Sequence, residues 1–363
     1  MYLRIIATLL LLLGLSTTLQ AEEEYWEYTF RPGDTIWSIA KQHTNSVNNW
    51  SAIQKLNEIS MGPDRQIQPG TRIRIPVSML KQQPIPAIVI AFQGEARLQR
   101  ANGETVELEI GAKLFAGDKV VTEKTQTVRL QFADKSELLI LPQSEVVLDK
   151  LSYHKKTGMV DTRMRLQYGN VNTWVEKLKP KSQYQIQTPS AITAVRGTQY
   201  RLGSNASGSI SRTEVTEGVV GVAVGNESKQ VAKGFGLVVE KGKPLSDPVK
   251  LLEAPQISDN QDNAAGVLQI SWPAIPQAQA YRYTLASDAD FNQILVRDST
   301  TQTRLKIDGL AAGTVFIRVL ALDSQQLQGL DSVRSFTIQA AAAPANNGSF
   351  QSVIMPSSIL ILN

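Results

Sequence analysis

Two histidines, His43 and His154, and no cysteine bound the catalytic possibilities of this 363-residue chain. Thiol nucleophiles are excluded, which removes cysteine-based peptidase and transpeptidase chemistry. Hydrolytic zinc sites usually take two or more histidine ligands. His43 falls in a helical pattern near the amino terminus and His154 in the turn SYHKKTG of another block, so a shared zinc site is not expected. Serine chemistry with a histidine base is short of bases for the same reason. A glycosidase needs two carboxylates on facing walls of a cleft, and no helical block is present to carry them. The reading is a non-enzymatic protein that needs no cofactor and no metal.

What remains is binding, and the stretch YTFRPGDTIWSIAKQH (28–43) is where local chemistry is densest. Tyr28-Thr29-Phe30 is a short β-prone run, and Arg31-Pro32-Gly33 is turn chemistry. Asp34 or Thr35 is placed to cap the amides of a following helix. Ile36, Ile39, Ala40 and His43 then recur at i, i+3, i+4 and i+7, one apolar face. A second helix is expected from near Asn48, with Trp50, Ile53 and Leu56 on its inner side. Past the Gly/Pro/Asp loop SMGPDRQIQPG, Thr71 to Ile75 alternates as a strand that Pro76 ends. Pairing the two strands with both helices on one face gives a βααβ unit.

These residues resemble a known family. YTFRPGDTIWSIA, followed by NWSAIQKLNEI and IQPGTRIRIPV, is similar to a LysM domain over residues 25–77. The resemblance implies binding to glycans containing N-acetylglucosamine, in bacteria usually peptidoglycan. It places the sugar in a shallow groove between two loops. Those positions are Gly33, Asp34, Thr35 and Ile36 on one side, and Pro63, Asp64, Arg65, Gln66 and Ile67 on the other. An N-acetyl group needs a backbone donor, a backbone acceptor and an apolar patch for its methyl. Ile36 and Ile67 are the expected patch, and Gly33 lets backbone approach closely. Gly33, Asp34 and Thr35 also serve as turn and cap, a role compatible with lining the groove. Trp37, Trp50 and His43 read as core. A shallow groove implies weak binding by one copy, and no second copy follows to add avidity.

Residues 84–245 are a long series of short alternating runs broken at glycines, which predicts an all-β stack. LQYGNV (166–171), TPSAITAVRGTQYRL and TEVTEGVVGVAV are similar to the FecR-type domain. Asp134-Lys135 stands where that family has Asp-Gly. FecR proteins relay signals to a sigma factor through a membrane span and a cytoplasmic segment. Neither is read in this chain, so the resemblance implies an exported interaction module, with an envelope signalling or sensor role through this domain as the alternative. Arg196-Gly197-Thr198 is read as structural, its glycine letting strands approach. KLKPK (177–181) is read as a solvated loop. Residues 255–340 resemble a fibronectin type III-like sandwich, with Trp272 in its core and Tyr281, Tyr283 and Phe316 to Val319 on strands.

The fold class expected is therefore multidomain and mainly β: a small βααβ module, an all-β stack and an Ig-like sandwich. Pro-bearing stretches at 78–86 and 241–250 read as linkers. Residues 1–21, with Arg4 before an apolar run and a Leu-Gln-Ala end, read as a cleavable signal peptide. Export to the periplasm is expected, with the cell wall or exterior as alternatives. Residues 341–363 form a tail whose apolar end is too short to span a membrane. The formal charge is +4, or +3 without Arg4. So small a charge with no basic stripe argues against nucleic acid as a partner. The partners expected are peptidoglycan and an envelope protein met through the β domains.

Overall fold

The periodicities at the amino terminus fold as a two-stranded, two-helix unit. In the computed structural model, which describes residues 25–59, 67–154, 157–259 and 265–340, strand β1 (Tyr25–Thr29) pairs antiparallel with β2 (Arg72–Pro76). Helices α1 (Ile36–His43) and α2 (Asn49–Leu56) lie between them in sequence. Thr35, not Asp34, caps α1: its hydroxyl accepts from Ser38 N, and Ser38 Oγ accepts from Thr35 N, both at 2.9 Å. Ile36, Ile39, Ala40 and His43 are the buried face, as their spacing requires. In α2 only Ile53 is buried, so the expected stripe of Trp50, Ile53 and Leu56 is corrected. Asn57 supplies what the stripe lacks, fastening the end of α2 to β2. Its side-chain amide donates to Arg74 O at 2.7 Å, and its carbonyl accepts from Arg74 N at 2.6 Å.

This unit does not stop at Pro76. Leu80 is buried with its core, Lys81 N donates to His43 O, and Asn45 N donates to Met79 O. The segment read as a linker is thus packed through Lys81. Residues 154–159 also belong to the unit, and Met159 joins its core.

The second unit comprises residues 84–153 and the described residues from Val160 onward. The chain here is mainly β, and two sheets share one apolar core that includes Leu98, Leu130, Leu148, Tyr184, Tyr200 and Leu237. A long strand, Met159–Val175, serves both sheets. Asp161 to Arg165 pairs in parallel with Gln183–Gln187, while Gly169 to Val175 pairs antiparallel with Thr198–Ser204. The change of partner falls at Gly169, whose φ is +94°. A side chain there would overlap Ser144 and the carbonyl of Gln143. Ser144 Oγ instead accepts from Asn170 N at 2.9 Å. Only glycine allows this corner.

Gly197 follows the same logic on a smaller scale, with φ +84° and Lys177 Cα 3.2 Å from where its Cβ would stand. Thr198 is buried, and its hydroxyl donates to Val219 O. The second stretch read as a linker is also packed: Leu245 is in the shared core, and Val249–Lys250 pairs with Phe235 and Gly236.

Residues 255–340 form a three-stranded and a four-stranded sheet. Trp272 is buried against Tyr281, ring centroids 5.3 Å apart, in a core with Leu285, Ile317 and Val319. The expected leader (1–21) and tail (341–363) lie outside the described residues. No helix among the described residues is long and apolar enough to cross a membrane.

Candidate functional site

Gly33 has φ +86° and is exposed, so the turn Arg31–Asp34 requires a residue without a Cβ penalty. Asp34 is the keystone of that turn. Its Oδ2 accepts from Arg31 N at 2.8 Å and from the Tyr28 hydroxyl at 2.6 Å. Burial pushes the Asp34 carboxyl up, but the Tyr28 and Arg31 hydrogen bonds, with the charges of Arg31 and His43, together hold it below its usual range. Tyr28 is shifted the other way, to about 12, by burial first and then by Asp34.

The turn lies directly against the approach to β2. Phe30 N donates to Thr71 O, and Gly70 N donates to Phe30 O, both at 2.8 Å. Ile67 is half-buried on the edge of the core. Backbone pairing thus sets Phe30, three residues before Gly33, against Gly70 and Thr71, which follow Ile67 by three and four residues. Pro63, Asp64, Arg65 and Gln66 lie outside the described residues. Ile36 is 2% exposed, so its side chain belongs to the core and offers a ligand almost no surface.

The indoles go the opposite way from the sequence reading. Trp37 is 51% and Trp50 36% exposed, and Lys41 Nζ sits 5.0 Å over the Trp37 ring. Helical period alone could have shown this for Trp37, which is one residue off the Ile36/Ile39/Ala40 face. A further cleft, missed in the sequence, runs along β1 and the turn with a volume of about 680 Å³. Trp26, Tyr28 and His43 meet there with ring centroids 5.1–5.4 Å apart. His43 and His154, read as belonging to different blocks, line one smaller cavity of about 110 Å³ in the first unit. Among the described residues no group of three or more His, Cys, Asp or Glu side chains is placed to hold a metal ion.

Family models match two segments: LysM domain over residues 28–76 and FecR protein over residues 118–221. Residues 28–76 are a LysM domain. Members of that family bind N-acetylglucosamine glycans such as peptidoglycan, and the turn and β2 approach described above are part of it. The FecR match includes the Gly169 corner and the Arg196-Gly197-Thr198 turn. LysM and FecR are both non-catalytic domain families, typical of exported or envelope proteins. Neither match reaches residues 255–340.

No curated protein matches the chain. Among solved structures, a candidate anti-sigma factor from Parabacteroides distasonis ATCC 8503 aligns at 11% identity with a TM-score of 0.30. The alignment covers 36% of this chain and 58% of that one. A β-1,2-glucanase from Parabacteroides distasonis aligns at 10% identity and a TM-score of 0.23, over 71% of this chain and 38% of the other. At such scores neither likeness bears on the fold or activity of this protein.

Proposed function

We propose that the protein is an exported, non-enzymatic peptidoglycan-binding protein of the periplasm. Its LysM domain holds the FecR-like and C-terminal β domains at the cell wall. The observation that supports this most is the Asp34-locked turn against the β2 approach. It leaves Gly33 exposed, while the Thr35 amide and carbonyl are held by the α1 cap, and Ile67 is half-buried on the approach to β2. The exposed Gly33 backbone suits the acetamido group, and Ile67 suits its methyl. Pro63, Asp64, Arg65 and Gln66 complete the groove in this reading. The exposed Trp37, next in sequence to the groove residues, adds a flat apolar face of the kind a pyranose ring covers.

The test is co-sedimentation of the purified chain with insoluble peptidoglycan. Binding is expected to fall several-fold in Ile67→Asp and to be lost when residues 25–77 are deleted. Equal sedimentation of the deletion and the intact chain would refute the tether. Ile36→Asp is not a usable probe, because a carboxylate at that buried position unfolds the domain.

The FecR match supports a second reading, in which the protein is an envelope sensor and the LysM domain only positions it. Crosslinking in intact cells separates the two. Capture of a receptor or regulatory protein by the FecR-like domain favours sensing, and capture of wall material alone favours the tether.

A further inference from the structure

Four arginines from four strands converge within the second unit, where the C-terminal sandwich meets the FecR-like block. Arg201 comes from Thr198–Ser204, Arg282 from Ala280–Ala286, Arg297 from Ile294–Thr300 and Arg318 from Gly313–Leu322. All four line one small cavity of about 20 Å³, and no carboxylate lines it. Arg282 and Gln328 also line an adjoining cleft of about 230 Å³, whose other walls include Arg212, Glu214, Ser204 and Asn205.

Two of these arginines have structural work. Arg201, 8% exposed, donates to Gln328 O at 2.9 Å and Gly329 O at 2.6 Å and lies 3.5 Å from Asp331. Arg318 pairs with Asp331 at 3.0 Å and stacks 4.0 Å over the Phe291 ring. Arg282 and Arg297 make no hydrogen bond or ion pair with any described residue. The nearest further acid, Glu214, stands 4.0 Å from Arg201 Nε. Burial holds its carboxyl above the usual range against the pull of Arg201. Arg297 is lowered to about 10, by desolvation first and then by Arg282 and Arg318.

Four guanidinium groups thus face two nearby carboxylates in a partly dehydrated place. Uncompensated buried charge is destabilising, and apolar side chains of similar volume would serve a purely structural junction better. Guanidinium forks match the oxygen pairs of carboxylates and phosphates. The inner cavity has room for one or two oxygen-sized groups, which means a head group and not a whole sugar.

We propose that this cavity is an anion site. Arg282 and Arg297 receive the carboxylate or phosphate head of a small ligand, and the adjoining cleft holds its polar remainder. The site is independent of the LysM groove.

Thermal unfolding of the purified chain tests it, with sodium acetate and inorganic phosphate as probes against chloride at matched ionic strength. At least one probe is expected to raise Tm saturably by a few degrees, and which of them does so identifies the head group. Arg297→Met is expected to abolish that response and to raise Tm by about 2–4 °C in low-salt buffer, since an uncompensated charge is removed. Arg282→Met should also abolish the response, while the exposed Arg304→Met should retain it. The site is refuted if neither probe exceeds chloride, or if the response survives in both Arg297→Met and Arg282→Met. A fall in Tm for Arg297→Met in low salt would show a structural brace and refute it equally.

Discussion

Asp34 and Tyr28 form a pair whose titration can be followed from either end. The tyrosine is 7% exposed, and its hydroxyl donates to the carboxylate at 2.6 Å. Because the folded pKa of Asp34 lies below the unfolded one, its contribution is complete above the ordinary carboxyl value of about 4. It disappears as pH falls through the depressed folded value. Tyr28 has the opposite sign, and its contribution is present below pH 10 and lost as pH rises toward about 12. Tyr28→Phe is expected to cost about 0.5–1.5 kcal/mol at neutral pH. It should cost much less once Asp34 is protonated. Hydrogen exchange at the Asp34 and Thr35 amides reads this directly, and an equal penalty at neutral pH and below the Asp34 titration would count against the pairing. Gly169 is a residue-scale constraint of another kind. Gly169→Ala puts a methyl into Ser144 and demands an unfavourable backbone, so a loss of about 3–5 kcal/mol is expected in denaturant unfolding.

At the scale of elements, Lys135 shows a family departure that the fold absorbs. It occupies the turn between Thr127–Gln131 and Glu137–Ile140 with φ +72°, a conformation glycine adopts freely. Lys135→Gly should therefore raise stability by about 1 kcal/mol, seen as a Tm increase of a few degrees. No gain would mean that the turn relaxes around lysine without strain. That turn was legible in the sequence because Asp-Lys replaces a familiar pair. α1 was legible for a different reason: four apolar residues at helical spacing bury one face whatever surrounds them. α2 was legible in its place but not in its packing, because its anchor is a polar side chain, Asn57, bonded to a strand 17 residues away in sequence. Sequence periodicity reports burial and is silent on such bonds. The supposed linkers misled in the same way. Proline and polar residues dominate both stretches, yet single leucines, Leu80 and Leu245, fasten each to a core. On the candidate site, Gly33, Asp34 and Thr35 could be read from turn chemistry. The burial of Ile36 and the exposure of Trp37 were already implied by the helical period that sets the Ile36/Ile39/Ala40 face.

Across the whole molecule, the FecR-like block and the C-terminal sandwich are one compact unit, although sequence pattern separates them. Gln93 clasps the backbone of Ile294 from both sides, donating to its oxygen at 2.8 Å and accepting from its nitrogen at 2.6 Å. Gln293 returns a bond to Phe92 O, and Gln328 N donates to the fully buried Glu214 at 3.1 Å. Leu139, Leu141 and Ile294 close an apolar cluster across the same junction, with Trp174 packed on it. Removing residues 255–363 would uncover Leu139 and Leu141 and deprive Glu214 and Arg201 of their partners at Gln328 and Gly329. Leaving buried polar groups unsatisfied costs about 1–3 kcal/mol each, more when they are charged. Residues 84–340 should accordingly melt in calorimetry as one transition whose van't Hoff and calorimetric enthalpies agree. The truncated block should melt at least several degrees lower. Two independent transitions, with the first unmoved by the truncation, would mean that the junction carries no coupling. The arginine cavity would then be a crevice between separate domains, open enough for water to replace any anion.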